Sequence, residues 1–259
     1  MTKIRENVEL ELYNGDRIAV VRLNRPEVHN AIDGAVIERL EEIVDHLEAI
    51  DPYAVVLTGA GERTFCSGGD LTYFTDLSPE DALVMSRHMQ EILRRLEDGP
   101  RPVIAALDGH VHGGGSEISV ACHLRIARAG ITFSFRPAAL GVITGWGGGR
   151  RLWRLLGRST AMRLLMLAEK IDAQEALRLG LVDQVVEGSA LEKALEWADR
   201  MTHNSRGSIR GFLAFDRAWR ATPQETTAQQ RLVAEETSLF GELWSGEDFQ
   251  QTLADWRER

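Results

Sequence analysis

Short apolar runs alternate with helix-period stretches through the first half of the chain. Residues 8–12 and Ile18–Leu23 read as strands, and the turn-prone Asn14-Gly15-Asp16 between them predicts a hairpin. Asp33 then stands as an N-cap before Val36, Ile37, Leu40, Ile43, Val44 and Leu47, which recur at helical spacing. Residues 54–58 form a continuous apolar run closed by Gly59-Ala60-Gly61, a helix is predicted over about 79–96, and Val103–Leu107 is the next strand. Unbroken apolar strands separated by helices imply a mostly parallel sheet with crossover helices.

From Gly113 onward the pattern becomes mainly helical. Pieces are predicted near 115–122, 147–156, 159–168, Ala173–Leu179 and 190–201, followed by a helix-rich tail ending near 249–256. No repeat, linker or long run of like charge interrupts the chain. The simplest division is an α/β core over residues 1–200 with a helical C-terminal region over 201–259.

Composition narrows the function classes. Thirty basic against thirty-nine acidic side chains give a formal charge of −9, which disfavours non-specific attraction to nucleic acid or an anionic membrane. Cys66 and Cys122 are too few for a disulfide framework, and no C-x-x-C pair is present. The first residues lack the apolar run of a signal peptide. No stretch approaches the roughly eighteen apolar residues of a membrane span. A reducing, cytoplasmic setting is the expectation. His110, His112 and His123 match no familiar metal-site spacing, so no metal is expected.

Two glycine-rich loops carry the candidate chemistry. One is Phe65-Cys66-Ser67-Gly68-Gly69-Asp70; the other runs from Gly109 through His112-Gly113-Gly114-Gly115-Ser116 to Glu117. Both follow strands, where open parallel sheets place their ligands. Glycine there lets backbone N–H groups approach a substrate, and two such groups from separate loops can hold an oxyanion together. Tight turns alone would also account for the glycines. Lipase-like chemistry is excluded because no G-x-S-x-G nucleophile elbow follows. Glu117 opens a helix, where a first-turn acid is often only a terminus carboxylate. Against that, no Asp or Glu occurs between Ile118 and Ala168, a stretch rich in arginine. An acid isolated beside such a segment looks placed, and as a general acid or base it would need burial to raise its pKa toward the working pH.

These residues, in this order, resemble the crotonase superfamily, the enoyl-CoA hydratase/isomerase family, over nearly the whole chain. Leu23-Asn24-Arg25-Pro26-Glu27-Val28-His29-Asn30-Ala31 resembles its N-terminal signature. Residues 65–71 are similar to its first oxyanion loop, 101–117 to its second, and Ala173-Gln174-Glu175-Ala176 with Gly180-Leu181-Val182-Asp183 to a further segment. The resemblance implies a spiral of ββα turns, a helical C-terminal region that builds trimers or dimers of trimers, and an acyl-CoA substrate. No cofactor is implied beyond the coenzyme A of that substrate. By position, Gly69 and Gly114 would supply the oxyanion amides and Glu117 the first catalytic glutamate. Ser67, Gly68, Asp70, Leu71, His112, Gly113, Pro137, Thr144 and Trp146 would surround the substrate.

One departure matters more than the matches. Where hydratases carry a second glutamate in a P-E-x-x-L-G segment, this chain has Pro137 ahead of Ala138-Ala139-Leu140-Gly141. Proline transfers no proton, so two-carboxylate water addition is disfavoured. Thr132-Phe133-Ser134, Pro137 and Leu140-Gly141-Val142 are similar to the methylmalonyl-CoA decarboxylase branch, whereas Gly145-Trp146-Gly147-Gly148 and Leu243-Trp244-Ser245-Gly246 resemble the ethylmalonyl-CoA branch. Two activities stay open: a hydratase-type lyase using Glu117 as its sole carboxylate, with Ser116, Thr144 or a histidine as the candidate helper, and decarboxylation of a malonyl-type thioester. An RNA-binding protein on the same fold is a third, opposed by Glu38, Glu41, Glu42, Asp45 and Glu48 on the first helix. Arg136 reads first as a surface or inter-subunit cation. Phe74, Trp146 and Trp244 read as core aromatics before they read as an acyl site.

Overall fold

A computed structural model describes residues 6–220, 233–234 and 237–258. The predicted hairpin is present: β1 (Val8–Tyr13) pairs antiparallel with β2 (Ile18–Leu23), and Asn14, Gly15 and Asp16 all take positive φ between them. Asp33 caps α1 (Gly34–Ile50) by accepting from the Val36 amide, and the six apolar positions read from spacing are its six buried ones.

After β3 (Ala54–Gly59) the chain repeats one move. Each strand of the large sheet leads to a short strand of a second sheet and then to helix. β3 passes to β4 (Thr64–Cys66), then α2 (Leu71–Phe74) and α3 (Pro79–Asp98); β5 (Val103–Leu107) passes to β6 (His110–His112), then α4 (Gly114–Ala121). A third turn runs through β7 (Leu124–Arg128) and β8 (Thr132–Ser134) to α5 (Gly148–Leu167). The large sheet has the order β1-β2-β3-β5-β7-β10, parallel except at β1, with β10 at Gln184–Val186. The small sheet is β4-β6-β8-β9, with β9 at Ile171–Asp172. This is the ββα spiral that the resemblance implies.

Strands after Gly113 escape the sequence reading. β8 and β10 have three residues each, too few to show a period, and Arg125 breaks the apolar run of β7 although it is buried. Its charge is absorbed by backbone carbonyls at Leu181 and Cys122 and by Asp183. The two helical pieces predicted between 147 and 168 are one element broken at Gly157, where φ is 73°.

The core lies between the two sheets and helices α1, α3, α4 and α5. On the outer face of the large sheet, Ala190, Ala194 and Ala198 of α7 (Ala190–Thr202) pack on Ile18, Val20, Val56, Ile104 and Ile126. α6 (Ala173–Leu179) has the predicted bounds, and Asp172 caps it by accepting from the Glu175 amide. Beyond α7 come α8 (Arg206–Arg220) and the terminal α9 (Glu247–Arg257). Phe240, Trp244, Phe249 and Leu253 form a separate cluster with Ala82 and Val142, bringing the end of the chain over the segment that follows β8.

Candidate active site

A cavity of about 570 Å³ opens between the two glycine loops, the 136–146 segment and the C-terminal helices. Ser67, Gly69, Asp70, Leu71, Gly113, Gly114, Glu117, Pro137 and Trp146 line it, as do Phe74, Met85, Arg136 and Trp244.

The first loop is fixed by residues well upstream. Asn30 is buried; its amide nitrogen donates to the carbonyls of Ala60 and Thr64, and its oxygen accepts from the Arg25 amide. Arg25 donates to the Ala31 carbonyl and forms ion pairs with Asp33 at 2.9 Å and Asp70 at 3.2 Å. Asp70 also caps α2 by accepting from the Thr72 amide. Its place at the cavity is therefore that of a structural anchor. Ile32 donates to the Gly68 carbonyl and accepts from the Asp70 amide. Amides alternate in direction along extended chain, so the Gly69 N–H is turned away from Ile32.

The second loop meets the first through backbone. A Cβ placed on Gly68 would lie 2.5 Å from the Gly114 nitrogen, so the loops touch only because no side chain intervenes. Gly114 is the first residue of α4, where amides lack intrahelical acceptors. Among the described residues neither the Gly69 nor the Gly114 N–H meets an acceptor. Aromatic rings cover both glycines. A Cβ on Gly69 would fall 2.0 Å from Phe74 Cζ, and one on Gly114 2.1 Å from Trp146 Cζ3. Phe74 and Trp146 thus serve core and cavity at once.

Glu117 is 3% exposed. Its carboxylate accepts from the Trp146 and Gly148 amides at 2.8 Å each and from the Gly145 amide at 3.3 Å. These N–H groups belong to the loop that enters α5, and they supply the polarity that water would otherwise provide. The loop is held from behind: Arg151 donates to the Trp146 carbonyl at 2.9 Å and to Glu97 at 2.9 Å. Ser86 and Gln90 of α3 both donate to the Gly145 carbonyl.

Three positions assigned to the substrate's surroundings lie elsewhere. His112 is outside the cavity lining; its Nε2 meets Thr132 Oγ1 at 3.1 Å and its ring stacks on His110. Residues alternate across a strand, so in β6 both histidines share one face and Val111 takes the buried one. Burial pushes the His112 imidazole down to about 4, helped by the positive charge of Lys170 and Arg136 nearby. Thr144 is also outside the lining: its hydroxyl accepts from the Gly149 amide and caps the start of α5. Gly68 contributes the loop contact and no cavity wall.

Other wall residues carry no local signal. Met85, Phe240, Phe249 and Trp256 line the cavity from helices distant in sequence, and Leu140 from the turn after Pro137. The arginines of the acid-free stretch are largely explained by partners outside it: Arg125 meets Asp183, Arg128 meets Glu62, Arg151 and Arg154 meet Glu97, and Arg163 meets Glu169 and Glu175. Among the described residues no cluster of three His, Cys, Asp or Glu forms a candidate metal site, and no helix is long and apolar enough to cross a membrane.

The family model described as enoyl-CoA hydratase/isomerase matches residues 14–259. The chain belongs to the enoyl-CoA hydratase/isomerase family. Among curated relatives, the short-chain-enoyl-CoA hydratase of Clostridium acetobutylicum is 33% identical over 246 residues, covering 94% of this chain and 92% of the relative. The ethylmalonyl-CoA decarboxylase of Gallus gallus is 33% identical over 235 residues, covering 88% and 77%. Among solved structures, the enoyl-CoA hydratase of Bacillus anthracis aligns with a TM-score of 0.80 at 30% identity, over 97% of this chain and 96% of that one. Membership in this enzyme family makes an acyl-CoA the fitting substrate and sets hydratases and decarboxylases side by side as relatives.

Proposed function

We propose that the cavity receives the acyl end of a coenzyme A thioester and that the Gly69 and Gly114 amides bind its carbonyl oxygen as an enolate forms. The observation that carries this reading is the pair of N–H groups without acceptors, on two loops in backbone contact, beside one cavity. Donors aimed at developing negative charge act strongly in a site closed to water, each worth roughly 10²–10³ in rate where measured. Glu117 on the same cavity is the group that moves the proton. Asp70 is committed to Arg25 and the start of α2, so Glu117 works alone. The activity is that of a hydratase-type lyase with a single catalytic carboxylate. No cofactor enters besides the coenzyme A of the substrate.

Decarboxylation of a malonyl-type thioester is the second reading, and Pro137 favours it. The residue that lines the cavity there cannot move a proton. In decarboxylation the electron pair of the broken C–C bond becomes the enolate, carbon dioxide leaves, and one proton donor completes the reaction. Crotonyl-CoA and methylmalonyl-CoA, offered separately, decide between the readings. Hydration of the first at an enzymatic rate overturns the argument from Pro137; carbon dioxide release from the second, without hydration of the first, establishes decarboxylation. Failure of both removes the acyl-CoA reading in its simplest form.

The assembly we infer is a trimer or a dimer of trimers. Phe212, Phe215 and Trp219 are spaced along one side of α8 and are 73%, 72% and 59% exposed. Such a stripe on a free monomer is an association surface. Sedimentation as a monomer at micromolar concentration contradicts it. A cytoplasmic setting accords with Cys66 and Cys122, both free and buried, their thiols pushed up to about 12 by burial.

A further inference from the structure

The charge inventory of the cavity wall leaves one group unexplained. Glu117 is held by backbone amides, and Asp70 by Arg25 and the start of α2. Glu27 is exposed on the short 3-10 turn Pro26–Val28. Arg136 is the arginine of the lining, and among the described residues its side chain makes no ion pair and no hydrogen bond. Five other arginines of the same acid-free stretch all find carboxylates. Arg136 also stands next to Pro137, whose ring fixes the backbone at the start of the 3-10 turn Pro137–Leu140 and is itself buried in the wall. Arg136 is an exposed residue of the lining, next in the chain to the proline that stands where a second carboxylate is expected, and the same cavity has apolar walls at Phe74, Met85, Val142, Trp146 and Trp244.

An unpaired cation on such a wall contributes little to a methyl-ended acyl chain. For an acyl group that ends in a carboxylate, it removes the penalty of bringing that charge among apolar side chains, and its planar fork matches the carboxylate with two parallel N–H···O bonds. We infer that Arg136 selects acyl groups carrying a second carboxylate, so that the substrates of this site are monothioesters of dicarboxylic acids. The inference deepens the acyl-CoA reading above and rests on it, but it holds for hydration and for decarboxylation alike.

Saturated thioesters test it without any turnover. Affinities are measured by calorimetry for two matched pairs, propionyl-CoA against succinyl-CoA and butyryl-CoA against glutaryl-CoA. Within each pair the coenzyme is constant and only the terminal carboxylate differs. At least one acid is expected to bind about 10–100-fold tighter than its partner, the range of a charge-assisted hydrogen-bonded pair. Arg136→Gln collapses that ratio toward one, and Arg136→Lys, which keeps the charge but loses the fork, retains part of it. Acids that bind no tighter than their methyl-ended partners in both pairs overturn the inference and leave the acyl-CoA reading intact. An equal loss for both members of a pair in Arg136→Gln places the guanidinium on the phosphates of the coenzyme and overturns it as well. Absence of binding by all four thioesters refutes the acyl-CoA reading itself and this inference with it.

Discussion

Two carboxylates, Glu117 buried and Glu97 part-buried, lie on either side of Trp146, and the chain treats them in opposite ways. Glu117 accepts three backbone amides and opens on the cavity; Glu97 meets three guanidiniums, of Arg151, Arg154 and Arg220, and is absent from that cavity's wall. The Trp146 N–H donates to one acid, and its carbonyl accepts from the arginine that pairs with the other. Three amide donors hold the Glu117 carboxyl in place on the cavity. An arginine cluster neutralises the charge outright. The first arrangement suits chemistry, and the second suits a fastening that keeps the amides aimed.

The sharpest way to break that contrast is Glu117→Gln. Turnover is expected to fall about 10²–10⁴-fold, the range for a general acid–base group. Stability falls only by about 1–3 kcal/mol, because one oxygen remains to accept while some donors lose their partner. Unchanged turnover would reduce Glu117 to a bracket for the 145–148 loop. Glu97→Gln reverses the emphasis: uncompensated arginines are left buried, at a cost of about 3–5 kcal/mol, read as a lowered urea midpoint. A variant that loses rate as completely as Glu117→Gln while keeping its midpoint would make Glu97 a second functional acid.

Acid provides a milder probe of the same pair. Burial pushes the Glu97 carboxyl up, but Arg151, Arg154 and Arg220 outweigh it and hold the group below the ordinary carboxylate value. Its folded value is depressed, so its contribution is present above the unfolded value of about 4.3 and disappears as pH falls through the folded one. Denaturation curves of wild type and Glu97→Gln should therefore converge only in strong acid. The smallest effect belongs to His112, depressed to about 4. It favours the fold fully above pH ~6.5, and that contribution falls away between about 6.5 and 4. His112→Gln should flatten the slope there. An unchanged slope would mean the ring is protonated in the folded protein as readily as in the unfolded chain.

Elements whose signals are local were legible. The six buried positions of α1, the Asp33 cap, the hairpin turn and the break at Gly157 each depend on residues within a few positions of one another. So did the glycine loops, because only glycine permits the contact between Gly68 and Gly114. Positions that depend on direction were not legible. His112 and Gly113 are adjacent in sequence, yet only Gly113 reaches the cavity, since strand alternation sends the histidine elsewhere. Thr144 next to Gly145 accepts from the first turn of α5, and Arg136 is exposed, as a surface cation should be, while also lining the cavity.

Taken alone, the sequence determined the elements, their alternation, the two loops and the acid that opens α4. These follow from spacing and from the steric allowance of glycine, both properties of short stretches. Tertiary structure alone decided that the amides of residues 145, 146 and 148 converge on Glu117, that rings from α2 and the α5 loop cover the two glycines, and that the end of the chain walls the cavity. The bonds to Glu117 span 28 to 31 residues, and they and the walls supplied by the end of the chain are set by how the spiral closes. No local pattern encodes that closure.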